Sequence, residues 1–353
     1  MSAAPVSFPV LLAQASAGDG GNSLLGWYSV LLVLTGLTVG GWVLRRTTRA
    51  GVLAAATAKE AVRQPVFFLS IAIALLVLLL NTVLPFFSLG DDVKMLKDCG
   101  LATLLIVGLL VAVWTAGTTI YDEIEGRTAM TLLSKPINRR QFIVGKYLGI
   151  MRAVAILMVV VGAVFVALVF YKVGYDAREG GGGNLAYFEW VEGPRSVLNL
   201  MANGNLTGAL AGSDVLQPQA ERLYNAFQVI PSMVLVYLEI AVLTAIAVAV
   251  ATRLPMVVNL SVCFTVFIVG HLTGVLVQVG GADGGVLVEN VRFVAGLIAT
   301  VLPALPAYSS EAAVARDALV PPEYLAWAGL YTVCYAAAAI LVAFLLFEDR
   351  DLA

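Results

Sequence analysis

Long uncharged apolar blocks alternate with short polar segments along this chain, and block length is the first informative quantity. A hydrocarbon core about 30 Å thick is crossed by roughly 20 apolar residues in a helix. Seven blocks reach that length: Leu24–Leu44, Val66–Phe87, Cys99–Ile120, Tyr147–Phe170, Val229–Ala251, Met256–Val279 and Leu325–Phe347. Isolated strands would leave backbone groups unpaired in lipid, so all seven are predicted to be helices. Phe293–Leu305 is too short to cross and ends among Pro303 and Pro306, which predicts a re-entrant or interfacial helix. The fold class that follows is an all-α integral membrane protein. No convincing internal repeat is present.

Two polar segments carry structure of their own. Gly51–Pro65 (GVLAAATAKEAVRQP) is alanine-rich, holds Lys59, Glu60 and Arg63, and stops at a proline suited to begin the next helix. It predicts a short helix lying on the cytoplasmic surface. Tyr171–Gln228 is longer than a connection needs to be. Gly180–Gly183 would make a flexible joint there, and Leu185–Leu200 and Val215–Gln228 are predicted as small helices on the outer face.

Charge orients the chain, because cytoplasmic loops retain lysine and arginine. Arg45, Arg46, Arg49, Lys59 and Arg63 follow the first block, a further group runs from Arg127 to Arg152, and Arg253 and Arg350 follow the fifth and seventh. With these segments inside, the inner charge is +6 and the outer charge −7, with Glu239 in the membrane. The expectation is a plasma (cytoplasmic) membrane protein with its N-terminus outside and its C-terminus in the cytoplasm. Residues 6–17 end in small residues resembling a cleavage site, but no basic residue precedes them, which argues against a signal peptide.

Composition narrows the function classes. Of 353 residues, 60% are apolar and 12% charged, against about half and about a quarter in a soluble domain. A soluble enzyme is thereby excluded. Cys99, Cys263 and Cys334 have no paired spacing for a disulfide framework or zinc knuckle. The single histidine, His271, excludes an HExxH zinc site within one chain. A net charge of −2 gives no footprint for nucleic acid. No GxxxxGK[ST] occurs, so nothing in this chain is expected to cradle ATP phosphates.

The most informative polar segment is Tyr121–Lys146, YDEIEGRTAMTLLSKPINRRQFIVGK. Asp122, Glu123 and Glu125 precede an apolar patch of Ala129, Met130, Leu132 and Leu133. Ser134 and Pro136 then break the chain before Arg139 and Arg140. Acidic residues suit the positive end of a helix dipole, and Pro136 disfavours helical geometry at Lys135. The pattern predicts a short amphipathic helix, a turn, and a second helix that begins near Asn138 and enters the membrane at Lys146. Charge alone fits a plain cytoplasmic loop touching lipid head groups equally well.

This segment resembles the corresponding loop of the permease subunits of type-2 ABC exporters, which reads acidic, Gly-Thr, Leu-Leu-Ser, any residue, Pro, two residues, Arg, then Gly-Lys. The matching residues are Glu125, Thr128, Leu132, Leu133, Ser134, Pro136, Arg139, Gly145 and Lys146. Arg127 departs from the pattern, with Gly126 one place early. Gly51–Pro65 before the next block, the proline-containing Leu302–Tyr308 and the charged tail Glu348–Leu352 extend the resemblance from residue 51 to the C-terminus. It implies a six-helix permease core over residues 51–353, one extra N-terminal transmembrane helix within residues 1–50, a cytoplasmic coupling loop at 121–146 and an outer-face insertion at 171–228. It implies a second permease subunit, as a homo- or heterodimer, and a cytosolic ABC ATPase subunit that binds ATP and magnesium, leaving no cofactor in this chain. The expected ATPase-coupling residues are Glu123, Glu125, Thr128, Leu132, Leu133 and Arg139, with Ser134 and Pro136 at the turn. None is expected to be catalytic.

Two polar groups fall inside the spans. Glu239 is near the middle of the fifth block, where a charge is expensive and by default a functional candidate. His271 is in the sixth block, between Gly270 and Gly274, and the two would pair if those helices pack antiparallel. A structural pair and a substrate or proton path are both open readings. Gly270 with Gly274, and Gly36 with Gly40, form small-residue faces that permit close helix approach. The competing functions are a proton-coupled secondary transporter using Glu239, a scaffold for an outer-face complex built on 171–228, and a membrane-embedded enzyme, for which no nucleophile lies beside a base at a readable spacing.

Overall fold

The computed structural model describes residues 49–83, 92–121, 123, 138–179, 217–279, 302–315 and 319–348. Every regular element among them is helical: α1 Arg49–Arg63, α2 Pro65–Val83, α3 Asp92–Ala116 extended by a π turn at Gly117–Tyr121, α4 Arg139–Glu179, α5 Gln217–Ala251, α6 Met256–Val279, a 3-10 turn at Leu305–Tyr308, α7 Glu311–Ala315 and α8 Pro322–Glu348. Among the described residues five helices are long and apolar enough to cross a membrane, namely α2, α3, α4, α5 and α8. In α6 the stretch whose side chains are described, Met256–Leu272, is apolar as well. The predicted span Leu24–Leu44, the small faces of Gly36 and Gly40, and the helix at Leu185–Leu200 lie outside the described residues.

Burial separates centre from periphery. The apolar windows of α3 and α5 are 61% and 67% buried, those of α2 and α8 only 22% each. A helix whose exposed side is Phe68, Leu69, Leu76 and Leu80, as in α2, meets lipid or another apolar surface. Between α4 and α5, Tyr147 Oη donates to Ala241 O at 3.3 Å and Tyr237 Oη to Met151 O at 3.2 Å. The partners advance by one turn on α4 while retreating by one turn on α5, so the two helices run antiparallel.

The helix boundaries depart from the predicted blocks wherever a charge inside a helix found a partner. Cys99–Ile120 is extended back to Asp92, because Lys97, fully buried, donates to Asn225 Oδ1 and Gln228 Oε1, each at 2.5 Å. Tyr147–Phe170 is extended to Arg139–Glu179, a 41-residue helix about 61 Å long at 1.5 Å per residue. Lys172 within it is held by Asp92 at 3.5 Å. The predicted small helix Val215–Gln228 is the first part of α5, continuous with the span and carrying Pro231 in its interior. Met256–Val279 coincides with α6, and α2 begins at Pro65.

α1 does not merely rest on a surface. Its small residues Gly51, Ala54, Thr57, Ala58 and Ala61 are buried, and it packs chiefly on α4. The approach needs glycine. A Cβ at Gly149 would stand 2.6 Å from Thr57 Cβ and 2.8 Å from Ala54 O, and one at Gly145 would stand 3.0 Å from Ala50 O. Gly270 is likewise occupied from within the chain: a Cβ there would meet Leu305 Cδ1 at 2.7 Å, so this glycine seats the 3-10 turn.

Overpacking a close helix contact costs about 1–3 kcal/mol. Gly149→Leu is therefore expected to lower thermal stability by that order, and an unchanged unfolding midpoint in detergent would show that α1 is not docked on α4.

Candidate functional site

The sequence-predicted coupling loop is bracketed by the ends of α3 and α4. Glu125, Thr128, Leu132, Leu133, Ser134 and Pro136 lie outside the described residues; Glu123 and Arg139 lie within them. α4 starts where the sequence predicts. Phe142 N donates to Asn138 O at 3.1 Å, and Asn138 N donates to Gln141 Oε1 at 3.4 Å, the reach-back half of a capping box.

Seven residues into α4 lies Lys146, 1% exposed. Its ammonium donates to Glu123 Oε1 at 2.5 Å and sits 5.6 Å from the centre of the Phe142 ring. A charge this buried is tolerable only when paired. Glu123 thus joins the end of α3 to the beginning of α4. Burial pushes its carboxyl above the ordinary carboxylate range, Lys146 pulls it back, and Glu60 on α1 adds a push upward.

Other contacts tie the same end of the bundle. Gln64 Nε2, at the joint between α1 and α2, donates to Thr118 Oγ1 in the π turn at 3.2 Å. Within that turn Thr118 and Thr119 donate their hydroxyls back to Trp114 O and Thr115 O, a substitution of side chain for ladder that loosens helix geometry. The Arg139 guanidinium lies 5.7 Å from the centre of the Phe347 ring, which stacks on Phe142 at 5.9 Å. Arg253 Nε donates to Leu346 O at 2.7 Å. Arg139 is therefore placed against the end of α8, a position its spacing did not reveal.

The intramembrane pair is brought together. His271 Nε2 lies 3.5 Å from Glu239 Oε1, with the Glu239 side chain 3% exposed and the imidazole 37% exposed. His271 Nδ1 is 3.1 Å from Phe267 O. A carbonyl only accepts, so Nδ1 carries a proton and a neutral ring turns a lone pair toward Glu239. The contact is attractive when the pair holds one further proton, on the carboxyl or on Nε2. Glu239 Oε1 has no hydrogen-bond partner in this geometry. Among the described residues no group of histidine, cysteine and carboxylate side chains is arranged to hold a metal ion.

The segment containing α2, α3, the loop and α4 also carries the family relationship. Residues 61–186 match the model of the ABC-2 family transporter proteins. Over that region the chain is similar to the type-2 ABC permease family, in agreement with the loop motif. No curated protein matches the chain. The described residues form an all-α, multi-pass membrane protein, the match supports a membrane subunit of an ABC transporter, and permeases of that family generally work with ATPase subunits. The matched region holds Glu123, Lys146 and the whole predicted loop; Glu239 and His271 lie beyond it. Lys146 was legible as a motif position but its partner was not, because nothing in local spacing joins residues on either side of a long loop.

A double-mutant cycle of Glu123→Gln and Lys146→Met should give a coupling of about 1–3 kcal/mol, typical of contacting groups in one network; additive losses of stability would dissolve the clamp. The pH dependence has a definite sign. With the folded-state value raised, the stability contributed by protonating Glu123 is fully present below the unfolded carboxyl value and lost as pH rises through the raised one. The unfolding midpoint of the wild type, measured relative to Glu123→Gln, should accordingly fall from acid toward neutral pH, and a flat difference would contradict the shift.

Proposed function

We propose that this chain is the membrane-spanning subunit of an ATP-driven exporter, and that residues 121–146 take force from a separate cytosolic ATPase that binds ATP and magnesium. The observation that carries this reading is the attachment of both ends of the loop to the bundle. Lys146 holds Glu123, and Thr118 receives Gln64. A push on the loop would reach α3, α4 and α1 together, without slack in the connection. The family match over residues 61–186 supports the same assignment. The contact set proposed for the ATPase is Glu125, Thr128, Leu132, Leu133 and Arg139, with Ser134 and Pro136 shaping the turn and Glu123 holding the loop base. The partners follow: an ABC ATPase beneath the loop and a second permease subunit beside the apolar flanks. The charge distribution supports a plasma-membrane protein with the basic end of the bundle in the cytoplasm, an outer N-terminus and an inner C-terminus.

A second reading is favoured by one contact. Glu239 facing His271 is a site where a proton can be held within the bundle, as proton-coupled transport would use. In the ATP-driven reading the pair joins α5 to α6, and Glu239→Gln, which keeps a donor toward Nε2, should preserve ATP-dependent transport in vesicles. Transport driven by a proton gradient without an ATPase, and abolished by Glu239→Gln, would favour the second reading.

The docking reading makes a direct demand. Replacing Glu125, Leu132 and Leu133 with alanine should abolish co-isolation of the ATPase while the permease keeps its own unfolding midpoint. Retained association would remove the loop from the coupling path.

A further inference from the structure

The most informative feature outside the coupling path is a cavity of about 320 Å³ between α1 and α4, lined by Ala55, Ala58, Lys59, Val62, Arg63, Arg152 and Ile156. Its origin is geometric. Gly145, Gly149, Arg152 and Ile156 recur at helical spacing, so they share one face of α4. The two glycines let α1 approach closely. Further along that face Arg152 and Ile156 are exposed, and the facing residues of α1 include the small Ala55 and Ala58, so the two helices leave a gap. The floor of the gap is alanine, valine and isoleucine, and the charge around it is three cations. Among the described residues none of Lys59, Arg63 and Arg152 has an ion-pair or hydrogen-bond partner.

The depth of the cavity in the membrane is fixed by two independent markers. In α4 the residues between Arg152 and Lys172 are uncharged over 19 positions, Ala153–Tyr171, about 28 Å of helix. That is close to the hydrocarbon thickness of about 30 Å, which puts Arg152 at one boundary. In α2 the apolar run starts at Pro65, two residues after Arg63, so Arg63 is at the corresponding boundary of its own span. Lys59 lies one turn earlier in α1. The three cations therefore lie within about one turn of the level of the phospholipid phosphates, and Val62 and Ile156 carry the apolar lining toward the acyl region.

We propose that this cavity is a binding site for an anionic glycerophospholipid, with the headgroup phosphate among Lys59, Arg63 and Arg152 over the small residues Ala55 and Ala58, and the upper part of an acyl chain against Val62 and Ile156. Charge complementarity selects an anionic over a zwitterionic headgroup, and the apolar floor selects a lipid over a free phosphate. Basic pockets beside membrane helices recognise lipid head groups on these terms. The proposal does not depend on the ATP-driven reading, since it concerns a lipid-facing crevice away from the loop.

The test uses the full-length protein in nanodiscs containing equal phosphatidylglycerol and phosphatidylcholine of matched chains, with retained lipid counted by native mass spectrometry. The wild type should retain phosphatidylglycerol over phosphatidylcholine by about tenfold, on the scale of a few juxtamembrane charges. The combined variant Lys59→Gln, Arg63→Gln, Arg152→Gln should bring that ratio close to one. Ile156→Trp, which fills the slot and leaves every charge in place, should also lower phosphatidylglycerol retention, and it decides the matter if the triple variant does not fold. Added glycerol phosphate should not displace the lipid. Equal retention of the two lipids by the wild type, a phosphatidylglycerol preference unchanged in the variants, or complete displacement by glycerol phosphate would each overturn the assignment.

Discussion

A lysine ammonium enclosed by apolar helices must have an anion, and in this protein that requirement organises one end of the molecule. Lys146 belongs to the helix that follows the polar loop, and Glu123 belongs to the chain that enters it. Their contact spans 23 positions in sequence and closes the loop at its base. Phe142 covers the ammonium, Phe347 stacks on Phe142, and Arg139 lies over Phe347, so the end of α8 is drawn into the same cluster. Removing either charge would leave the other desolvated, and that asymmetry makes the loop base a fixed point.

α4 is the element on which the rest is assembled. At 41 residues it exceeds any hydrocarbon core, and its two ends do different work. At one end it accepts α1 through closely spaced glycines and the loop through Lys146. At the other, Lys172 meets Asp92 of α3, and Arg222 of α5 donates to Phe170 O and covers the Phe170 ring. Between them the tyrosine bonds to α5 set an antiparallel register. Polar pairing at the two ends and apolar packing in the middle divide the stabilisation in the way a bilayer imposes, since ionic groups inside the hydrocarbon are costly and packing there is cheap.

Much of this was legible from the sequence where the signal is local. The proline at 65, the asparagine at 138 and the apolar run from Met256 marked helix starts correctly, because capping chemistry and a change of period act within one turn. The spans were underestimated wherever a charge seemed to end them. The blocks Cys99–Ile120 and Tyr147–Phe170 stop short of Lys97 and Lys172, yet the helices run on through both, whose partners are distant in sequence. The Glu239 and His271 pair was anticipated from their rarity inside apolar blocks, and the contact between their helices brought them within 3.5 Å. By contrast, the positions of Arg139 against Phe347 and of Gly270 against Leu305 depend on how helices far apart in sequence pack, information that no local pattern carries.

The intimate seat of α1 on α4 has a mechanical corollary. Because the glycines of α4 remove the side-chain layer between the two helices, α1 and the first turns of α4 are expected to move as one body. In the ATP-driven reading proposed above, a tilt of α4 would carry α1 through the polar skin of the membrane, and the lateral stiffness and thickness of the surrounding lipid would enter the work of the stroke. The bilayer would then be a spring in series with the protein as well as its solvent.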